Sequence, residues 1–117
     1  MVYEIEFLKA LLLTILIETV VLFLLVKVVF KFLNINNWML VLTGILTTFA
    51  TLPYLWFIFP LFIKTKIYYT IISEVSAILV ESVIILGILK ISYKKALFIS
   101  ITCNMASFLI GLLINWV

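Results

Sequence analysis

Four long apolar runs alternate with short polar breaks along the chain, at about residues 8–30, 38–60, 68–90 and 95–116. Each run is close to the roughly 20 residues that cross a bilayer core at about 1.5 Å rise per residue. The runs are continuous rather than alternating, and too few to close a membrane barrel, so they predict helices. The breaks between them are "KFLNINN", "KTKIYY" and "ISYKK". Connections this short place consecutive helices side by side and antiparallel in one bundle. The expected fold class is all-α, a polytopic membrane protein with four transmembrane helices forming a single domain over residues 1–117.

Composition supports the same reading. Hydrophobic residues make up 68% of the chain, charged residues 11%, and the mean hydropathy is +1.45. A soluble domain is about 45–50% apolar and about 25% charged. A chain of 117 residues has too little interior to hide that excess from water. The net charge of +3 does not point to nucleic acid, because the lysines are scattered between apolar runs instead of forming a basic face. His, Arg, Asp and Gln are missing, and Cys103 is the one cysteine. No intrachain disulfide, metal centre or cofactor is therefore expected. Neither a Ser-His-Asp nor a Cys-His device can be assembled, so the chain is not expected to be an enzyme.

Charge placement suggests an orientation. Lys27, Lys31, Lys90, Lys94 and Lys95 flank the first and third connections, while Lys9, Lys64 and Lys66 lie at the opposite ends with Glu4 and Glu6. The positive-inside rule then puts the first and third connections in the cytoplasm and both termini outside. The acidic opening, the long first run and the lack of a small-residue cleavage pattern differ from a cleavable signal. Trp38, Trp56, Trp116, Tyr3, Tyr54, Tyr68 and Tyr69 fall near run ends, as interfacial aromatics do. The expected location is a cell membrane, and the Ile, Lys, Phe and Asn bias suggests an AT-rich, prokaryotic source.

The two halves of the chain are alike. "ILIETVVLFLLVK" (15–27) aligns without gaps to "ILVESVIILGILK" (78–90), pairing Glu18 with Glu81, Thr19 with Ser82 and Lys27 with Lys90. "TTFAT" (47–51) lies over "CNMAS" (103–107), pairing Thr48 with Asn104 and Thr51 with Ser107. Each unit is a helical hairpin, repeat 1 at about 8–60 and repeat 2 at about 68–116. Two-helix units in tandem keep their orientation, so the expected repeat is parallel, about an axis along the membrane normal.

The pattern of Glu18 and Glu81 in the first and third helices, "TLPYLWF" closing the second and "NMASFLIG" in the fourth resembles an uncharacterised type of small four-helix integral membrane protein. The likeness covers nearly the whole chain and implies no activity. Size and one early membrane Glu are also similar to small multidrug-resistance antiporters. That similarity stops at Glu18, since the acid recurs at Glu81 and the later helices do not match.

Glu18 lies nine residues from both Lys9 and Lys27, and Glu81 nine from Lys90. At about 1.5 Å per residue both sit roughly 13–14 Å inside the run, near the midplane. A charge there costs about 2.5–3.5 kcal/mol on insertion scales. No basic residue lies at that depth, so each acid must be protonated, bound to a cation, or turned into a wet cavity. Ser100, Asn104, Ser107 and Gly111 share one face of the fourth helix, and Gly44, Thr48 and Thr51 one face of the second. The candidate site for a proton, cation or small solute is thus Glu18, Glu81, Asn104, Thr48, Thr51 and Ser107. Plainer roles compete: helix packing for the small-residue stripe, a kink for Pro53, an apolar filler for Cys103, solvation for Glu74, and interface anchoring for Tyr54, Trp56 and Phe57. A Glu–Asn hydrogen bond can also serve only as glue between helices. The expected function is transport-type, in a lipid bilayer and as a homo-oligomer. The alternative is an accessory or scaffold subunit of a larger membrane complex.

Overall fold

A computed structural model describes residues 2–31 and 35–113. Trp116, the far end of the second repeat and positions 32–34 of the first connection lie outside the described residues. Helix α1 spans Val2–Phe23 and continues as π-helix through Leu24–Val29, where the Phe30 N–H donates to the Leu25 carbonyl at 2.8 Å. It begins earlier than the apolar run does. No Gly or Pro interrupts the first turns, and Glu4 there meets the positive end of the helix dipole. Helix α2 spans Asn37–Phe57, capped by Asn36, whose side chain accepts from the Trp38 N–H at 2.9 Å. One further turn, α3 (Phe59–Phe62), carries Pro60 near its start. Helix α4 spans Lys66–Leu89, and α5 spans Tyr93–Leu113. Lys31 and Lys90, which follow the π-helical turn and α4, are left-handed, with φ of 58° and 55°. Glycine usually takes that place; a lysine there instead sets a cation beside the carbonyl end of a helix.

The long helices run up, down, up and down in a square. Helix α1 packs on α2 and α5, and α4 packs on the same two, so α1 faces α4 and α2 faces α5 across the diagonals. Antiparallel neighbours follow from the contacts. Tyr3 and Phe7 at the start of α1 meet Trp56 and Phe57 at the end of α2 in tilted and edge-to-face contacts, with ring centroids 4.8–5.7 Å apart. Phe30 meets Phe98 of α5 at 5.8 Å. The molecule measures 43 × 24 × 21 Å, and its long axis matches a bilayer of about 40–45 Å with its headgroups.

The distribution of side chains is that of a membrane protein. Leu12, Leu16, Val20, Leu24 and Val28 repeat every four residues along α1, and all are exposed. Thr43, Thr47, Thr48, Thr51, Ser73, Ser82, Ser100, Glu18, Glu81 and Asn104 are buried. A water-soluble bundle has the opposite arrangement. The interior hydroxyls are satisfied largely within their own helices. Thr43 donates to Met39 O at 2.7 Å, Thr47 to Thr43 O at 2.9 Å and Thr48 to Gly44 O at 2.9 Å. Val2–Val29, Asn37–Phe62 and Lys66–Leu89 are each long and apolar enough to cross a membrane. Helix α5 is of similar length but is diluted by Lys94, Lys95, Thr102, Asn104 and Ser107.

The two halves of the bundle are filled differently. Leu22, Leu25, Val26, Leu40, Ile85, Leu89, Ala96, Ile99 and Cys103 close the half nearer the first and third connections. Gly44 lets α1 and α2 touch there. A Cβ on it would overlap Thr19 Oγ1 and lie 3.3 Å from the Thr19 Cα. Ser100 ties α5 to α4 by donating to the Ile78 carbonyl at 2.7 Å. The other half encloses a cavity.

Candidate functional site

The cavity has a volume of about 360 Å³ and is walled by all four long helices. Its rim includes Tyr3, Trp56, Lys66 and Tyr69, and its floor holds Glu18, Glu81 and Asn104. Tyr3 and Tyr69 donate their hydroxyls to the Trp56 and Leu55 carbonyls, which fastens the starts of α1 and α4 to the end of α2. Below the floor lies the apolar half described above, so the cavity is open at one end and sealed at the other. Lys66 is the one cationic side chain in its lining among the described residues, and it is exposed at the rim.

Helical periodicity places the acids. Thr70, Glu74, Ala77 and Glu81 are spaced by three or four along α4, with Ser73 beside Glu74, and Ala10, Thr14 and Glu18 by four along α1; both faces line the cavity. Glu18 is 4% exposed and Glu81 1%. Their carboxyls come within hydrogen-bonding reach of each other across the diagonal of the bundle. Oε1 of each is buried and receives no hydrogen bond from the described residues. Two carboxylates have acceptors only, so a hydrogen bond between them requires a proton on one.

The neighbouring groups add a second constraint. Thr51 Oγ1 lies 3.0 Å from the Thr47 carbonyl and 3.3 Å from Glu81 Oε2. A hydroxyl has one proton to give. If Thr51 donates to the Thr47 carbonyl, Glu81 must supply the proton of their contact; if Thr51 donates to Glu81, the carbonyl loses it. The hydroxyl can therefore rotate to match either protonation state of the acid. Asn104 Nδ2 donates to the Ser100 carbonyl at 2.8 Å, and its amide lies near Glu81. An amide can also serve an acid in either state, since it both donates and accepts. On the sealed side, Cys103 Sγ points to the Glu18 carbonyl at 3.8 Å.

Of the residues singled out in the sequence, Glu18, Glu81, Asn104, Thr51 and Ser107 line the cavity together. Thr48 does not. It is buried outside the lining, with its hydroxyl turned to Gly44. Glu74, Ser73, Thr14 and Tyr69 were missed as lining residues. The spacing of Ser73, Glu74 and Ala77 ahead of Glu81 carried the signal, because it continues one face of α4 toward the rim. The small-residue stripe of α5 divides: Ser100 packs against α4, whereas Asn104, Ser107 and Gly111 face the cavity.

Fold and site together define a helical membrane protein with a one-sided cavity floored by two carboxyl groups. No protein-family model, curated protein or solved structure matches the chain.

Proposed function

We propose a transport-type function, in which the Glu18–Glu81 pair takes up a proton, a monovalent cation or a small cationic solute through the cavity. Thr51 and Asn104 adjust their hydrogen bonds as the pair changes state, and Ser107 lines the approach. One observation carries this reading: two buried carboxyls meet, with no cationic partner among the described residues, at the floor of a cavity that reaches the end of the bundle. Acids that only register helices gain from being packed around, since water-filled space beside them adds nothing to their contact.

In this reading all four long helices cross the membrane. Support for the fourth comes from its outward stripe of Phe98, Ile101, Met105 and Leu109, all exposed on a helix that fills the space between α1 and α4. A parallel duplication accounts for the diagonal placement of α1 opposite α4 and α2 opposite α5. It also accounts for the starts of α2 and α5, Asn37 and Tyr93, which are in the same register as "TTFAT" over "CNMAS". The sealed half must open, or a second copy must contribute, for a solute to pass through.

Flux in proteoliposomes tests the proposal. Glu→Gln keeps the shape and most hydrogen bonds but removes ionisation, so the Glu18→Gln/Glu81→Gln protein should fold and reconstitute normally. Proton- or cation-dependent flux should be lost from it. Full flux in that double variant contradicts the proposal.

A further inference from the structure

We infer that the cavity takes a small primary or secondary amine in its ammonium form, with its N–H groups on Glu18 and Glu81 and its apolar body against Ile17, Leu52, Leu55 and Phe108. The inference rests on reading the carboxyl pair as a cation site.

The floor asks for hydrogen-bond donors as well as charge. Glu18 and Glu81 both line the cavity, and Oε1 of each is buried and accepts from nothing among the described residues. Charge-assisted N–H donors satisfy such oxygens at short range, and an ammonium carries two or three of them. A quaternary ammonium brings the charge and no donor. No group of three or more His, Cys, Asp or Glu side chains that could hold a metal ion occurs among the described residues. An amino-acid zwitterion would bring its carboxylate up against Glu74, which lies on the same face of α4 as Glu81 and two turns nearer the rim.

The walls suit an organic body. The volume of about 360 Å³ is at the small end of ligand pockets, which run from about 300 to 1,000 Å³. Trp56 and Tyr69 at the rim offer aromatic faces that attract a passing cation. Glu74, partly exposed, places a further carboxyl along the path inward. Lys66 opposes it only at the exposed rim, where salt and water screen its charge.

Isothermal titration of the full chain in lipid nanodiscs, with phenethylamine hydrochloride and tetraethylammonium chloride as probes, tests the inference. Phenethylamine should bind saturably, with affinity reduced at least tenfold in both Glu18→Gln and Glu81→Gln. Tetraethylammonium should neither bind nor displace it at equal concentration. Ser107→Leu, which leaves both acids intact and fills space beside them, should weaken phenethylamine binding at least tenfold as well. Equal binding of tetraethylammonium, or unchanged affinity in Ser107→Leu, overturns the inference. Absence of phenethylamine binding alongside Glu-dependent proton or sodium flux in proteoliposomes overturns the amine assignment and leaves the cation-site reading standing. Amine binding that is unaffected in both Gln variants removes both.

Discussion

Thr51→Val isolates the contact between α2 and the buried acid of α4. Valine has nearly the shape of threonine, so the substitution removes the hydroxyl and leaves no cavity. The Thr47 carbonyl keeps its ordinary helical partner, so the loss falls on Glu81 Oε2, 3.3 Å from the hydroxyl. Polar contacts between helices in membranes contribute about 0.6 kcal/mol on average and up to about 1.7. Glu81 is 1% exposed, so the expected destabilisation falls within that range, about 0.6–1.7 kcal/mol. Thr51→Ser keeps the hydroxyl and loses one methyl, at about 0.8 kcal/mol of apolar burial. The assay is unfolding in mixed micelles followed by circular dichroism, with Thr51→Val and Glu81→Met combined in a double-mutant cycle. Coupling of about 1 kcal/mol is expected between the two positions, within the range for directly touching residues. A Thr51→Val protein as stable as the parent, with no coupling to Glu81, refutes the energetic importance of this contact.

Three other outcomes follow from the packing and charge pattern. Gly44→Ala should cost about 1–3 kcal/mol by overpacking, because the new methyl meets Thr19, including its backbone Cα at 3.3 Å; unfolding in mixed micelles measures it. Ile85→Ala, at a site 2% exposed in the sealed half, should cost about 2–5 kcal/mol, read by the same unfolding assay. In a Cys103→Ala background, Ile35→Cys and Tyr93→Cys should react with a thiol reagent only from the cytoplasmic side. Labelling of both by an impermeant reagent from outside reverses the orientation.

Much of this architecture was legible in the chain because membrane helices carry strong local signals. Apolar runs of the right length fixed helix number and order, and short connections gave the antiparallel neighbours. The helix ends were less legible. Glu4, Glu6 and Lys9 look like a polar leader, yet nothing among them breaks a helix, and α1 starts at Val2. The π-helical turn at Leu24–Val29 left no mark, since its composition is that of any apolar segment. At the site, Glu18 and Glu81 stood out because charge at the midplane is costly. Asn104, Thr51 and Ser107 could be put on inward faces by spacing. Thr48 shares those features but turns its hydroxyl to Gly44, and three residues of helix leave it about 60° around the axis from Thr51. The cavity itself was not legible, because an empty volume depends on how large side chains from four helices fit together.

Modification by a membrane-soluble carbodiimide, located by mass spectrometry, tests the central claim most directly, because the reagent attacks a protonated carboxyl that it can reach from an apolar cavity. With the native chain in lipid, the account predicts labelling at Glu18 or Glu81, since adjoining carboxyls do not both ionise and at least one of the pair carries a proton. Phenethylamine or a raised cation concentration should slow that labelling. Absence of labelling at both positions, or labelling that proceeds at the same rate whatever cation is present, contradicts a reachable carboxyl pair that exchanges a proton for a cation.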